Sequence, residues 1–127
     1  MAPVLVFHRR DIRFAEPDAG TGDEGGGLYA LARLIGPGIS DSLGAGLAQF
    51  HACSIRWTLL YDEVLVVLKG TFRLRHGKDL ADTVVATAGE VIWIPAGTDV
   101  AYEGENAEVF FAVHPGNWRT LNGMAEI

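Results

Sequence analysis

Cationic side chains are scarce in this chain. Ten lysines and arginines stand against sixteen aspartates and glutamates, a formal charge of −6 over 127 residues. Nucleic-acid binding needs clustered cations that neutralise phosphates, so this balance argues against a nucleic-acid partner. Cysteine is scarcer still: Cys53 stands alone, which leaves no internal disulfide and makes a reducing cytoplasm the expected compartment. No apolar run is long enough to span a bilayer. At the N-terminus, Arg9 and Arg10 follow the apolar residues instead of preceding them, the reverse of a secretory signal. No membrane partner is expected. Sustained 3.6-residue apolar periodicity is missing too, except weakly at Leu28–Ile35.

What is present is a succession of short apolar runs punctuated by Gly, Pro and Asp. After residues 28–35 come 43–53, 61–68, 71–75, 83–86, 91–94, 100–102 and 109–113, rich in Val, Ile, Phe and Trp. Lys69-Gly70 and His76-Gly77 read as turns. Runs this short and frequent predict an all-β sandwich or barrel, and the length fits one domain. Residues 16–27 carry four acidic residues, five glycines and no large apolar side chain, the pattern of a mobile loop. Residues 4–14 before it are expected to form an edge strand. The single domain is thus divided into an N-terminal arm and loop, residues 1–27, and a barrel, residues 28–121. The tail after Pro115 is expected to add a short helix or a strap.

Two glycine-framed segments organise the barrel. The first is Trp-Thr-Leu-Leu-Tyr-Asp-Glu-Val-Leu-Val-Val-Leu-Lys-Gly, ending at Gly70; the second is Gly-Glu-Val-Ile-Trp-Ile-Pro-Ala-Gly-Thr-Asp-Val, starting at Gly89. Together they resemble the two motifs of the cupin superfamily, G-x5-H-x-H-x3/4-E-x6-G and G-x5-P-x-G-x2-H-x3-N. Glu63 and Gly70 fit the first; Gly89, Pro95 and Gly97 fit the second. The resemblance implies a double-stranded β-helix, or jelly roll. The metal-binding positions depart from it. The histidines would fall on Trp57 and Leu59 with the shorter spacer, on Arg56 and Thr58 with the longer, and on Val100 in the second motif. The remaining candidate ligands, Glu63, His51, Cys53, Tyr61, His76 and His114, show no close pair on one strand, and zinc or iron needs three or four convergent donors. No metal and no other cofactor is expected.

Strand alternation places Trp57, Leu59, Tyr61, Glu63, Leu65 and Val67 on one face if no bulge intervenes, the face that points into the barrel in cupins. Glu63 is then an acid among apolar and aromatic neighbours, a setting that demands partners or a raised pKa. Tyr102, two residues beyond Val100, is aimed the same way. The candidate site is therefore Glu63 and Tyr61 in acid–base roles, with Trp57, Leu59 and Tyr102 as walls and Arg75 as a substrate contact. Val64, Val66 and Leu68 lie on the opposite face. With Phe7 and Phe14 they offer apolar surface for a second subunit, so a homodimer is expected.

A closer resemblance is carried by Gly44-Ala45-Gly46, Cys53, the run Trp57-Thr58-Leu59 with Tyr61-Asp62-Glu63, the Gly-x5-Pro-x-Gly segment and the ending Phe110-Phe111-Ala112-Val113-His114-Pro115-Gly116-Asn117-Trp118. Over roughly residues 40–121 these resemble the cupin half of the EutQ family of ethanolamine-utilisation proteins. That resemblance implies a role in ethanolamine catabolism, a cytoplasmic place associated with a bacterial microcompartment, and a link to acetate and acetyl phosphate through the acetate kinase activity attributed to the family. The chain has no Gly-x4-Gly-Lys-Ser/Thr loop, its Gly-rich segment is acidic, and the nearby candidates for cationic clamps are Arg56, Arg73 and Arg75. Three readings stay open: a small-metabolite binder of this family, a metal-independent enzyme acting on a small carbonyl, amine or acid, and a non-catalytic partner-binding accessory.

Overall fold

The structure, a computed structural model, describes residues 3–15 and 27–117. These hold seven strands: β1 (Leu28–Ile35), β2 (Gly44–His51), β3 (Ser54–Thr58), β4 (Asp62–His76), β5 (Asp82–Thr87), β6 (Val91–Ile94) and β7 (Asp99–His114). The hydrogen-bonded order is β1-β2-β7-β4-β5, with β3 added on β7 and β6 on β4, every pairing antiparallel. The two longest strands explain how one ribbon of strands becomes two facing layers. The first half of β4 pairs with β6 and with the end of β7, while its second half pairs with β5 and with the start of β7. One layer is therefore β1-β2-β7-β4-β6 and the other β3-β7-β4-β5, the jelly roll of a cupin barrel.

β4 and β7 run across both layers because each bends in the middle. The sequence reads Lys69-Gly70 as a hairpin turn, and the structure corrects this: runs 61–68 and 71–75 are one strand. Gly70 does have positive φ, 74°, but it sits at a double register shift in the β4–β7 ladder, facing the carbonyl oxygens of Glu105 and Asn106. A bulge at this point turns the strand from one layer to the other. Runs 100–102 and 109–113 merge likewise into β7, with Asn106 at φ 49° beside the same bend. The other turns stand where the sequence puts them. Gly77, Gly89 and Gly97 all have positive φ, and Pro95 ends β6.

β1, the segment with a weak helical period, is a strand. Tyr29 and Leu31 pack against the core, while Ala30 and Ala32 are buried on the other side. Between the layers lie Phe50, Ile55, Leu65, Val67, Phe72, Leu74, Val109 and Phe111, all buried. Each large aliphatic or aromatic side chain there contributes about 1.5–3 kcal/mol by leaving water.

Residues 4–14 are not the expected edge strand. They run as extended coil with a single 3-10 turn at Arg9–Asp11, and only Ala15 forms a bridge, to Leu31. The arm is held by a side chain instead of a ladder. The Arg9 guanidinium stacks 5.3 Å over the Phe14 ring and donates to the Glu108 carboxylate at 3.0 Å, where Gln49 also donates. Glu108 is buried, and these two donors compensate its desolvation. The expected mobile loop, residues 16–27, lies outside the described residues except for Gly27, as does the tail beyond Asn117.

Candidate functional site

The barrel holds a cavity lined by Tyr29 and Leu31 of β1, Phe50 of β2, Ile55 and Trp57 of β3, Tyr61 just before β4, Glu63 and Leu65 at the start of β4, and Tyr102 and Phe111 of β7, among others. The volume that the centre of a water molecule can reach is about 50 Å³, room for roughly three to five waters. Tyr29, Leu31 and Trp57 are half-buried, and the wall comes nearest the surface at these residues.

Glu63 sits in the depth of this cavity. It pairs across the ladder with Ile94 and Val113, so its side chain shares the inner face with apolar neighbours and is only 6% exposed. Its partner comes from the opposite layer: the Tyr102 hydroxyl donates to Oε1 at 2.8 Å. Burial pushes the Glu63 carboxyl up to about 7, against the pull of the Tyr102 hydrogen bond. Desolvation wins because one neutral donor cannot replace the hydration of a carboxylate. The phenols respond in kind. Burial, then the negative charge of Glu63, raises Tyr29, Tyr61 and Tyr102 above the ordinary tyrosine range, so all three stay protonated at any physiological pH.

The alternation expected from residue 57 to 67 is interrupted, and it reaches the cavity only at Trp57, Tyr61, Glu63 and Leu65. β3 ends at Thr58 and β4 starts at Asp62; between them Leu59 exchanges hydrogen bonds with Gly97 and Thr98. Across this break, Trp57 and Tyr61 still face the cavity, joined by a 2.7 Å bond from the indole Nε1 to the Tyr61 hydroxyl. Trp57, Tyr61, Glu63 and Tyr102 are thus brought together. Two other candidate residues are not. Leu59 is fully buried but lies outside the cavity wall. Arg75 also lies outside it, where Nε binds the Glu103 carboxylate at 3.1 Å. Arg73 pairs with Glu103 and Glu105, so neither arginine reaches Glu63. The sequence places Tyr61 beside Glu63 in an acid–base role and Tyr102 as a wall, whereas Tyr102 makes the direct hydrogen bond. Tyr29 and Phe50 escaped sequence reasoning as wall residues. The alternation of Tyr29 with Leu31 was the available signal, obscured by the weak helical period of that run.

Cupin barrels commonly hold a transition metal, and the residues here do not fit one. Among the described residues no group of three His, Cys, Asp or Glu side chains is placed to hold a metal ion. His51 is exposed at the end of β2, where Nδ1 accepts from the Asn106 amide. His76 and His114 end β4 and β7. Among the described residues the other polar side-chain atoms lining the cavity are phenols that remain protonated and the Trp57 indole N–H, poor ligands for a divalent ion.

A family profile described as ethanolamine utilisation protein EutQ matches residues 28–120. The chain belongs to the EutQ family. Among curated EutQ proteins, the acetate kinase EutQ of Escherichia coli K12 is 33% identical over 92 residues, which are 72% of this chain and 38% of that protein. The chain therefore spans well under half the length of that relative. Among solved structures, the EutQ protein of Salmonella typhimurium LT2 superposes with a TM-score of 0.74 at 29% identity, covering 88% of this chain and 86% of that one. An RmlC-like cupin from Shewanella frigidimarina superposes at 0.62 and 16% identity, covering 86% and 88%, a likeness of fold alone. Among the described residues of this EutQ-family cupin, no helix is long and apolar enough to cross a membrane.

Proposed function

We propose that this EutQ-family cupin binds a small metabolite of ethanolamine catabolism in the barrel cavity, with Glu63 as the polar anchor and no metal. The observation that carries the reading is the buried Glu63–Tyr102 pair at an aromatic-walled cavity. A core built for stability alone gains nothing from a carboxylate whose burial costs more than one phenol returns, and ligand sites are concave, mostly apolar and furnished with a few convergent polar groups. A cytoplasmic place beside a bacterial microcompartment belongs to the same reading. The link to acetate and acetyl phosphate rests on the relatives' name. Phosphoryl transfer calls for cationic clamps and a metal, and among the described residues the cavity wall supplies no arginine or lysine.

A catalytic form of this reading is favoured by one observation. A carboxyl that titrates near 7 is matched to general acid–base work at neutral pH. Glu63 then transfers the proton on a small carbonyl, amine or acid, while Tyr61 and Tyr102 orient the substrate as protonated donors. A thermal-shift screen of ethanolamine, acetyl phosphate, ATP and small acids against the parent and Glu63→Gln tests the site. A ligand that stabilises the parent should lose most of its effect in the variant. Identical responses of the two proteins to every ligand would remove the cavity from consideration. Attention would then pass to the outer face of β4, β6 and β7. There Trp93 and Val91, 58% and 64% exposed, stand beside half-buried Val64, Val66 and Phe110, an apolar patch suited to a second copy of the chain.

A further inference from the structure

We infer that the cavity selects a small organic ammonium ion over acids and neutral molecules of the same size. This deepens the reading of the cavity as a binding site and rests on it. Three observations point the same way. First, among the described residues Glu63 is the only carboxylate of the lining, which includes no arginine, lysine or histidine. Among the described residues the titratable groups that face it are Tyr102 on β7, Tyr61 before β4 and Tyr29 on β1, with Cys53 beside Tyr29, and none of these is a cation. A bound anion would meet a carboxylate and phenols without a compensating charge, whereas a bound cation supplies the charge that Glu63 lacks.

Second, the wall is a box of rings: Tyr29, Phe50, Trp57, Tyr61, Tyr102 and Phe111. Ring faces carry negative quadrupole potential and attract ammonium groups, most strongly where water is displaced. Third, the reachable space of about 50 Å³ corresponds to roughly three to five waters, the bulk of a two- or three-carbon amine and far below that of a nucleotide. The ammonium would take the other oxygen of the Glu63 carboxylate, Oε2, while Tyr102 keeps its bond to Oε1. The short carbon chain would lie against Leu65 and Phe111.

The binding couples to protonation with a definite sign. Glu63 holds its proton below about pH 7, and an ammonium ion favours the ionised form. Binding at pH 6 should therefore release a proton, and affinity should rise between pH 6 and pH 8.

The probes are propylammonium and 2-hydroxyethylammonium chloride, with 1-propanol and sodium acetate as size-matched neutral and anionic controls. Binding is followed by the indole N–H resonance of Trp57, which reports the bond to Tyr61, and by calorimetry in buffers of different ionisation enthalpy. The two amines should shift that resonance and bind about tenfold or more tightly than either control. Glu63→Gln should weaken them by roughly ten- to a hundredfold, the range for losing a hydrogen bond to a charged group. Tyr102→Phe keeps the ring and the charge and should retain amine preference, which guards against a folding defect in the first variant. Acetate or propanol binding as tightly as the amines would overturn the ammonium assignment while leaving the cavity a binding site. Amine binding that Glu63→Gln leaves unchanged would overturn it as well. If no probe moves the Trp57 resonance, both the assignment and the cavity reading fall.

Discussion

Replacing Glu63 by glutamine tests the electrostatics of the core without any ligand. The side chain keeps its shape and loses its ionisation. In the folded protein the carboxyl titrates at about 7 against an ordinary value of 4.5. Below pH 4.5 folded and unfolded chains both hold the proton, and the carboxyl carries no penalty. Between 4.5 and 7 the unfolded chain ionises while the folded one does not, so stability falls as pH rises. Above 7 both are ionised and the full penalty is present. At about 1.4 kcal/mol per pH unit, the displacement from 4.5 to about 7 amounts to about 3 kcal/mol. The amide variant escapes this cost. It must instead place an extra N–H group in an apolar wall, a penalty of about 1–3 kcal/mol that does not depend on pH. The stability difference between variant and parent should therefore move in favour of the variant by about 3 kcal/mol between pH 4.5 and pH 8. In urea titrations this appears as a relative shift of the midpoint on the order of 2 M. Taking the difference at each pH cancels titrations elsewhere in the chain. A difference that stays flat across this range would refute the reasoning, because it would mean that Glu63 ionises in the fold as easily as in water. A difference running the other way would mean that a cation compensates it.

Other substitutions separate the structural devices of the barrel. Gly70→Ala should destabilise by about 2 kcal/mol or more in chemical unfolding, because the added methyl meets the Asn106 carbonyl oxygen at φ 74°; a neutral result would mean that the bend in β4 is soft. Arg9→Ala should cost about 1 kcal/mol, leaving Gln49 as the remaining donor to buried Glu108, with faster amide exchange at Ala15 as the arm loosens. Light scattering at micromolar concentration should give twice the 13.7 kDa chain mass, and Trp93→Asp on the exposed β6 patch should return it to a monomer. Elemental analysis of protein purified without a metal-affinity tag should find well under one transition metal per chain.

The sequence carried the fold because local patterns and the fold agree. Short Val- and Ile-rich runs, positive-φ glycines at 77, 89 and 97, and Pro95 at the end of β6 each act within a few residues, and each stands where expected. The two glycine frames made the cupin architecture legible, and alternation aimed Glu63, Trp57, Tyr61 and Tyr102 into one interior. Three things depended on contacts between distant segments. Gly70 has the same positive φ in a hairpin turn and in a bulge, and only pairing with β7 decides that β4 continues through it. The arm reads as an edge strand, but its place is set by a buried carboxylate ninety-nine positions away. The partner of Glu63 is likewise thirty-nine positions distant, on the opposite layer. Alternation states which face a side chain takes and nothing about what meets it there. Arg75 shows the same limit from the other side, since its charge is taken up by Glu103 on β7. Chemistry-bearing residues are local facts of the sequence; which of them touch is a property of the closed barrel.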